Sequence, residues 1–146
     1  MIQRIQTVDL IAAGLFVASL LKLNFAEIVA DNDVYMFSAK GIFNNETLIF
    51  NGLPIAVLIG VVALLHFVII AIYKKRTMQI RIAVFTIILL FGLLGLLFYF
   101  TYTHDLAKVA FKIPVIFPLV AVILDFLAIR AIRKDENLIR SLNRIR

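Results

Sequence analysis

The chain has no cysteine and no tryptophan, and only 16% of its 146 residues are charged. Without cysteine there can be no disulfide, no thiolate nucleophile and no cysteine-ligated metal. Histidine occurs twice, as His66 and His104, too few for a histidine-rich metal site. No glycine-rich phosphate loop and no paired-histidine zinc-protease motif is present. The scarce charge leaves a chain that is 63% hydrophobic with a mean hydropathy of +1.03. Soluble domains run nearer about 45–50% apolar and about 25% charged, so water is the wrong solvent for most of this surface.

What is there is oil gathered into segments. Residues 53–73 and 82–102 form two apolar runs joined by the basic stretch 74–81. At 1.5 Å per residue each run makes a helix roughly 31 Å long, about the thickness of bilayer hydrocarbon. Only His66 and Thr86 interrupt them with appreciable polarity, and neither run has the polar stripe of a helix resting on a soluble core. Two further runs, at about 8–25 and 113–132, complete an expected all-α integral membrane protein with four transmembrane helices. For the first run a signal peptide is the competing reading, with Arg4 as n-region, 11–21 as h-region and Ile28-Val29-Ala30 at the cleavage site. An uncleaved membrane helix is the expectation adopted.

Residues 27–52 form the one sizeable stretch outside the hydrocarbon. Val34-Tyr35-Met36-Phe37 and Thr47-Leu48-Ile49-Phe50 are rich in strand formers and lie between Gly and Asn turn signals. A small β-hairpin packed on the helix ends is expected, with an irregular loop dipping aromatics into the interface as the alternative. Small residues in the second run (Ala56, Gly60, Ala63) and in the third (Gly92, Gly95) offer faces where a neighbouring backbone could approach. Pro118 predicts a kink or an interfacial start in the fourth run. The tail, 133–146, spaces Leu138, Leu142 and Ile145 to give an apolar stripe beside a basic face, as in an amphipathic surface helix.

The formal charge of +6 is unevenly distributed. Assigning the N-terminus, the 74–81 stretch and the tail to one side collects eleven basic residues there, against Lys22, Lys40, Lys108 and Lys112 elsewhere. The positive-inside rule then places both termini in the cytoplasm and the 27–52 loop outside. Nucleic acid is not an expected partner, because the basic face is short and lacks an aromatic stacking platform.

Two constellations carry possible chemistry. Asp125 lies within the fourth apolar run, where a bare carboxylate costs several kcal/mol and must pair, take up a proton or meet water. His66 falls within about one helical turn of the same depth, so the two could meet across the bundle. A polar clasp fixing helix register and a protonatable pair on a proton or cation path both fit; Asp125 could instead reach Arg81 or Arg130. In the tail, Arg130, Arg133, Lys134, Asp135, Glu136, Arg140, Arg144 and Arg146 could grip anionic lipid, key into a protein partner through mixed charges, or serve only as a topology anchor. His104-Asp105 looks like half of a metal or acid–base site, but the topology puts the two histidines on opposite sides of the bilayer, so they cannot share one metal, and the outer loop offers only Glu27, Asp31, Asp33 and Glu46 beside His104. No catalytic, metal or cofactor site is expected, and the chain is read as non-enzymatic.

The opening Met1-Ile2-Gln3-Arg4-Ile5-Gln6-Thr7-Val8 and the closing Arg130-Ala131-Ile132-Arg133-Lys134-Asp135-Glu136-Asn137-Leu138-Ile139-Arg140-Ser141, ending Arg144-Ile145-Arg146, resemble the two ends of a known family. It is the Bacteroidota family of small four-helix membrane proteins catalogued as domain of unknown function 4293. The resemblance implies a four-helix protein of a Gram-negative inner membrane and no transferable activity. An accessory or assembly subunit of a larger membrane complex is the functional expectation, with other membrane-protein subunits or copies of itself as partners. A small oligomeric proton- or cation-coupled carrier or channel is the alternative.

Overall fold

In the absence of water a backbone must satisfy its own hydrogen bonds, so the β-branched residues that fill these runs go into helices despite their strand preference. The computed structural model describes residues 3–30, 33–44, 47–73, 75–102 and 108–143. It contains α1 (Gln3–Ser19), strands β1 (Asn24–Ala30), β2 (Asp33–Ser38), β3 (Gly41–Asn44) and β4 (Thr47–Asn51), then α2 (Leu53–Ala71) and α3 (Arg76–Tyr102). β5 (Lys108–Phe111), a single 3-10 turn (Ile113–Ile116) and α4 (Phe117–Asn143) complete it. Among the described residues, Leu53–Ala71, Arg76–Tyr102 and Ile113–Leu138 are long and apolar enough to cross a membrane. The protein is a small multi-helix membrane protein.

The helices are inside-out by the standards of a soluble bundle. Phe67, Ile88 and Phe126 are each 60% or more exposed, on α2, α3 and α4 in turn. The buried side chains on the opposite faces form two apolar clusters. One gathers Ala13, Val17, Ile59, Val62, Leu90, Leu93 and Ala121 with the sheet residues Phe25, Ile28 and Phe37. The other holds Leu10, Ile69, Ala83, Ala128 and Ile129 near the far end.

The stretch expected to form a hairpin is larger than that. All five strands form one antiparallel sheet in the order β4-β3-β2-β1-β5. The two predicted strands fall in β2 and β4 and do not pair with each other, because β3 lies between them. β1 begins at Asn24, inside the run expected to be helical to residue 25, and α1 therefore ends at Ser19. β5 comes from the connector before α4 and is tied on by the Lys112 amide donating to the Phe25 carbonyl at 2.8 Å and by the Lys112–Glu27 ion pair. Phe25 meets Phe37 edge-on at 5.4 Å within the sheet, and Phe50 of β4 meets Phe100 of α3 at 4.8 Å, seating the sheet on that helix end.

The link from β4 into α2 is a close backbone approach. Gly41 has φ of +137°, and a Cβ there would lie 1.9 Å from the Phe50 carbonyl oxygen. Gly52 backs onto it, its amide donating to the Lys40 carbonyl at 2.9 Å. Asn51 Oδ1 accepts from the Leu53 amide at 3.0 Å, and Pro54 occupies the first turn of α2, where no amide hydrogen is needed.

Other boundaries also move. α3 starts at Arg76, so most of the basic stretch expected as a turn is helical. α4 runs unbroken to Asn143, making the tail a continuation of the membrane helix rather than a separate surface helix. Pro118 sits in its first turn, after the 3-10 turn, and introduces no interior break. Among the described residues nothing lies within 4 Å of a Cβ added at Gly60, Gly92 or Gly95, so these glycines are not used inside the bundle, whereas Ala63 of the expected face is buried in the core and Ala56 packs against it. The close approach occurs at Gly14, where an added Cβ would stand 3.1 Å from His66 Cβ.

Candidate functional site

A gap between the two apolar clusters is filled by polar groups. His66 follows Val62 and precedes Ile69 on α2; Thr86 lies between Ala83 and Leu90 on α3; Asp125 lies between Ala121 and Ala128 on α4. All three are buried, His66 at 1% and Asp125 at 0% exposure. The structure brings His66 and Asp125 together: Nε2 of the histidine is 3.1 Å from Oδ1 of the aspartate. Gly14 of α1 leaves room for the imidazole to pack against that helix. Thr86 donates back to the Ile82 carbonyl at 2.9 Å and so satisfies its own hydroxyl. Arg81 and Arg130, the other partners considered for Asp125, are exposed.

The proton inventory of the pair follows from its geometry. His66 Nδ1 lies 2.8 Å from the Val62 carbonyl oxygen, which can only accept, so Nδ1 carries a hydrogen. One further proton belongs on the line between Nε2 and Oδ1. On nitrogen it gives an imidazolium–carboxylate pair, and on oxygen a neutral imidazole and a neutral acid. Either way the pair is net neutral, the state a hydrocarbon interior tolerates. Asp125 Oδ2 is buried and has no hydrogen-bond partner among the described residues.

Ten residues further along α4, about 15 Å at the helical rise, a second polar group closes the bundle. Asp135 is 8% exposed, and its Oδ2 accepts from Gln6 Nε2 of α1 at 3.2 Å. Arg76, at the start of α3, approaches the same oxygen at 3.7 Å. Gln79 donates to the Ile69 carbonyl at 3.1 Å, joining α3 to α2. Four helices are thus linked at their basic end by Gln6, Arg76, Gln79 and Asp135.

This placement corrects the reading of the tail at one position. Asp135, expected to face a partner or lipid, is turned into the bundle, because α4 continues as a core helix there and carries that face inward. Arg130, Arg133 and Lys134 are exposed, Glu136 is half-buried and Arg140 lies on the helical part of the tail. Arg144, Arg146, His104 and Asp105 lie outside the described residues. Among the described residues no group of three histidine or acidic side chains could hold a metal ion.

Sequence reasoning singled out His66 and Asp125 but passed over Gln6, Arg76 and Gln79. The available signal was weak: Gln6 stands at the basic end of the first apolar run and Arg76 and Gln79 at the basic end of the third, and polar residues there look merely solvated. A profile described as "Domain of unknown function (DUF4293)" matches residues 2–145. No curated protein and no solved structure gives a significant match.

Proposed function

Given that the chain belongs to the DUF4293 family over nearly its whole length, we propose that it is an accessory or assembly subunit of a bacterial inner-membrane complex, without catalysis of its own. The observation that carries this reading is the outer face of the sheet. An antiparallel sheet with one face on a core ordinarily turns a polar face to water. Here the register aligns Val29 with Val34, Met36 with Phe43 and Phe43 with Leu48 on the outward side, where the Glu27–Lys112 ion pair beside Met36 is the polar exception. Val34 is 50%, Met36 47% and Leu48 52% exposed.

The sheet edges differ as well. β5 carries Lys108, and Lys112 follows it, charges of the kind that discourage strand addition. β4, Thr47-Leu48-Ile49-Phe50-Asn51, has neither charge nor proline. An apolar face beside an unguarded edge suits a polypeptide partner from another membrane-protein subunit. The outward glycines of α2 and α3 add a place for its transmembrane helices.

In this reading α1 also crosses the bilayer. At 17 residues it is about 26 Å long, within reach of a thin hydrocarbon layer. Chain connectivity puts the sheet at one end of the bundle and the start of α1, the α2–α3 link and the end of α4 at the other. The excess of basic residues assigns that second end to the cytoplasm. The exposed Arg130, Arg133 and Lys134 meet anionic headgroups there.

The test is purification of the whole chain from its membrane in mild detergent. Stoichiometric different chains are expected, and Met36→Lys with Leu48→Lys is expected to release them while leaving the bundle folded. A closed homo-oligomer, unaffected by these substitutions, would favour a small proton- or cation-coupled carrier or channel instead. The observation behind that second reading is the buried His66–Asp125 pair, whose Nε2 and Oδ1 stand 3.1 Å apart and whose Oδ2 is unpartnered among the described residues.

A further inference from the structure

The basic end of the bundle holds two adjoining spaces that the reading above does not use. Tyr73 forms a wall of both. The first is a cavity of about 110 Å³ lined also by Gln6, Thr7, Arg76 and Gln79. The second is an open furrow of about 500 Å³ lined by Ala71, Ile72, Lys75 and Met78. One is polar and small, the other largely apolar and set at the junction of α2 and α3.

Arg76 gives the small cavity its chemistry. Its Nη1 is buried and finds no hydrogen-bond acceptor among the described residues. The nearest carboxylate oxygen, Asp135 Oδ2, is 3.7 Å away and already accepts from Gln6. A guanidinium fork so placed is a ready donor to a phosphate oxygen. Lys75 is exposed beside it and adds a second positive charge.

Volume decides what kind of molecule fits. At about 30 Å³ per water-sized group, the cavity takes three or four such groups, enough for one phosphate and too little for a soluble metabolite, whose pockets run from about 300 Å³ upward. The remainder of the ligand must lie in the furrow, whose walls suit a hydrocarbon chain. Tyr73 marks the level at which headgroup and chain would meet.

The geometry points to a binding site for one anionic glycerophospholipid, its phosphate held by Arg76 with Lys75 and its acyl chain lying along Ala71, Ile72 and Met78. This differs from contact between the tail arginines and the membrane surface, because it assigns a single lipid to a built site. It does not depend on the identity of any protein partner.

The experiment is native mass spectrometry of the full detergent-purified chain after exposure to phosphatidylglycerol, to phosphatidylcholine, or to millimolar inorganic phosphate. One retained phosphatidylglycerol per chain is expected, preferred by about fivefold over phosphatidylcholine, whose identical phosphate is offset by a trimethylammonium beside Arg76 and Lys75; that is the factor one cation facing a net negative headgroup supplies. Arg76→Gln should abolish the preference. Since that change could also loosen the tie to Asp135, Met78→Asp provides the second arm: Met78 is 46% exposed, so the fold should be kept while the anionic lipid is lost. Equal retention of the two lipids by the unaltered chain would overturn the proposal. So would an undiminished preference in folded Met78→Asp, or complete displacement of the lipid by inorganic phosphate, which would mark a free-anion site.

Discussion

At the scale of residues, the paired histidine and aspartate set the strongest constraint, because a lone member of the pair is far more costly in hydrocarbon than the pair itself. Interhelical hydrogen bonds in membranes average only about 0.6 kcal/mol. Removing one partner of a buried charged pair costs about 3–5 kcal/mol, whereas replacing both by apolar groups is often neutral. His66→Leu and Asp125→Leu should therefore each lower detergent unfolding stability by several kcal/mol, and the double substitution should recover most of the loss. Chemical denaturation of the four proteins checks this. Losses that simply add would show that the two side chains do not act as a unit. These residues stood out in the sequence because each interrupts a long apolar run. Asp135 was read as facing outward and Gln6 was passed over, since an acid among arginines and an amide near a helix start look solvated until the fold closes over them. Gly14 was equally silent: its role depends on a histidine more than fifty positions away.

At the scale of elements, helices α2 and α3 were legible because twenty consecutive apolar residues admit few alternatives in a bilayer. The sheet was only partly legible. The sequence marked the strands in β2 and β4 through their aromatic and β-branched residues and nearby turn signals. β1 was hidden because Phe25-Ala26 and Ile28-Val29-Ala30 prolong the apolar composition of α1 past Lys22 and Asn24, and short apolar runs do not distinguish helix from strand. β5 was hidden by its length of four residues. What organises the sheet locally is the contact of Gly41 with Gly52. Gly41→Ala places a Cβ against the Phe50 carbonyl at a backbone angle that L-residues rarely adopt. The expected result is a loss of more than about 1 kcal/mol, larger than an ordinary loop substitution gives. Amide exchange in β3 and β4 should rise with it, while α3 remains protected. Unchanged exchange in those strands would contradict the role given to this turn.

At the scale of the whole molecule, four helices alternate in direction beneath one sheet, and the polar groups fall at two levels: the His66–Asp125 pair inside and the Gln6–Arg76–Asp135 group at the basic end. The number of apolar runs made the helical part of this outline readable from sequence. The extent of the cap was not, because it depends on pairing between residues 24–30 and 108–111, which are distant in the chain. The absence of cysteine makes the central claim directly measurable, since any introduced thiol is the only one present. Single cysteines at Ile5, Lys40 and Lys75 would be exposed to a membrane-impermeant maleimide in intact cells and again after permeabilisation. The account predicts that Lys40→Cys reacts in intact cells while Ile5→Cys and Lys75→Cys react only after permeabilisation. Labelling of Ile5→Cys and Lys40→Cys from the same side would contradict it, because α1 would then not cross the membrane.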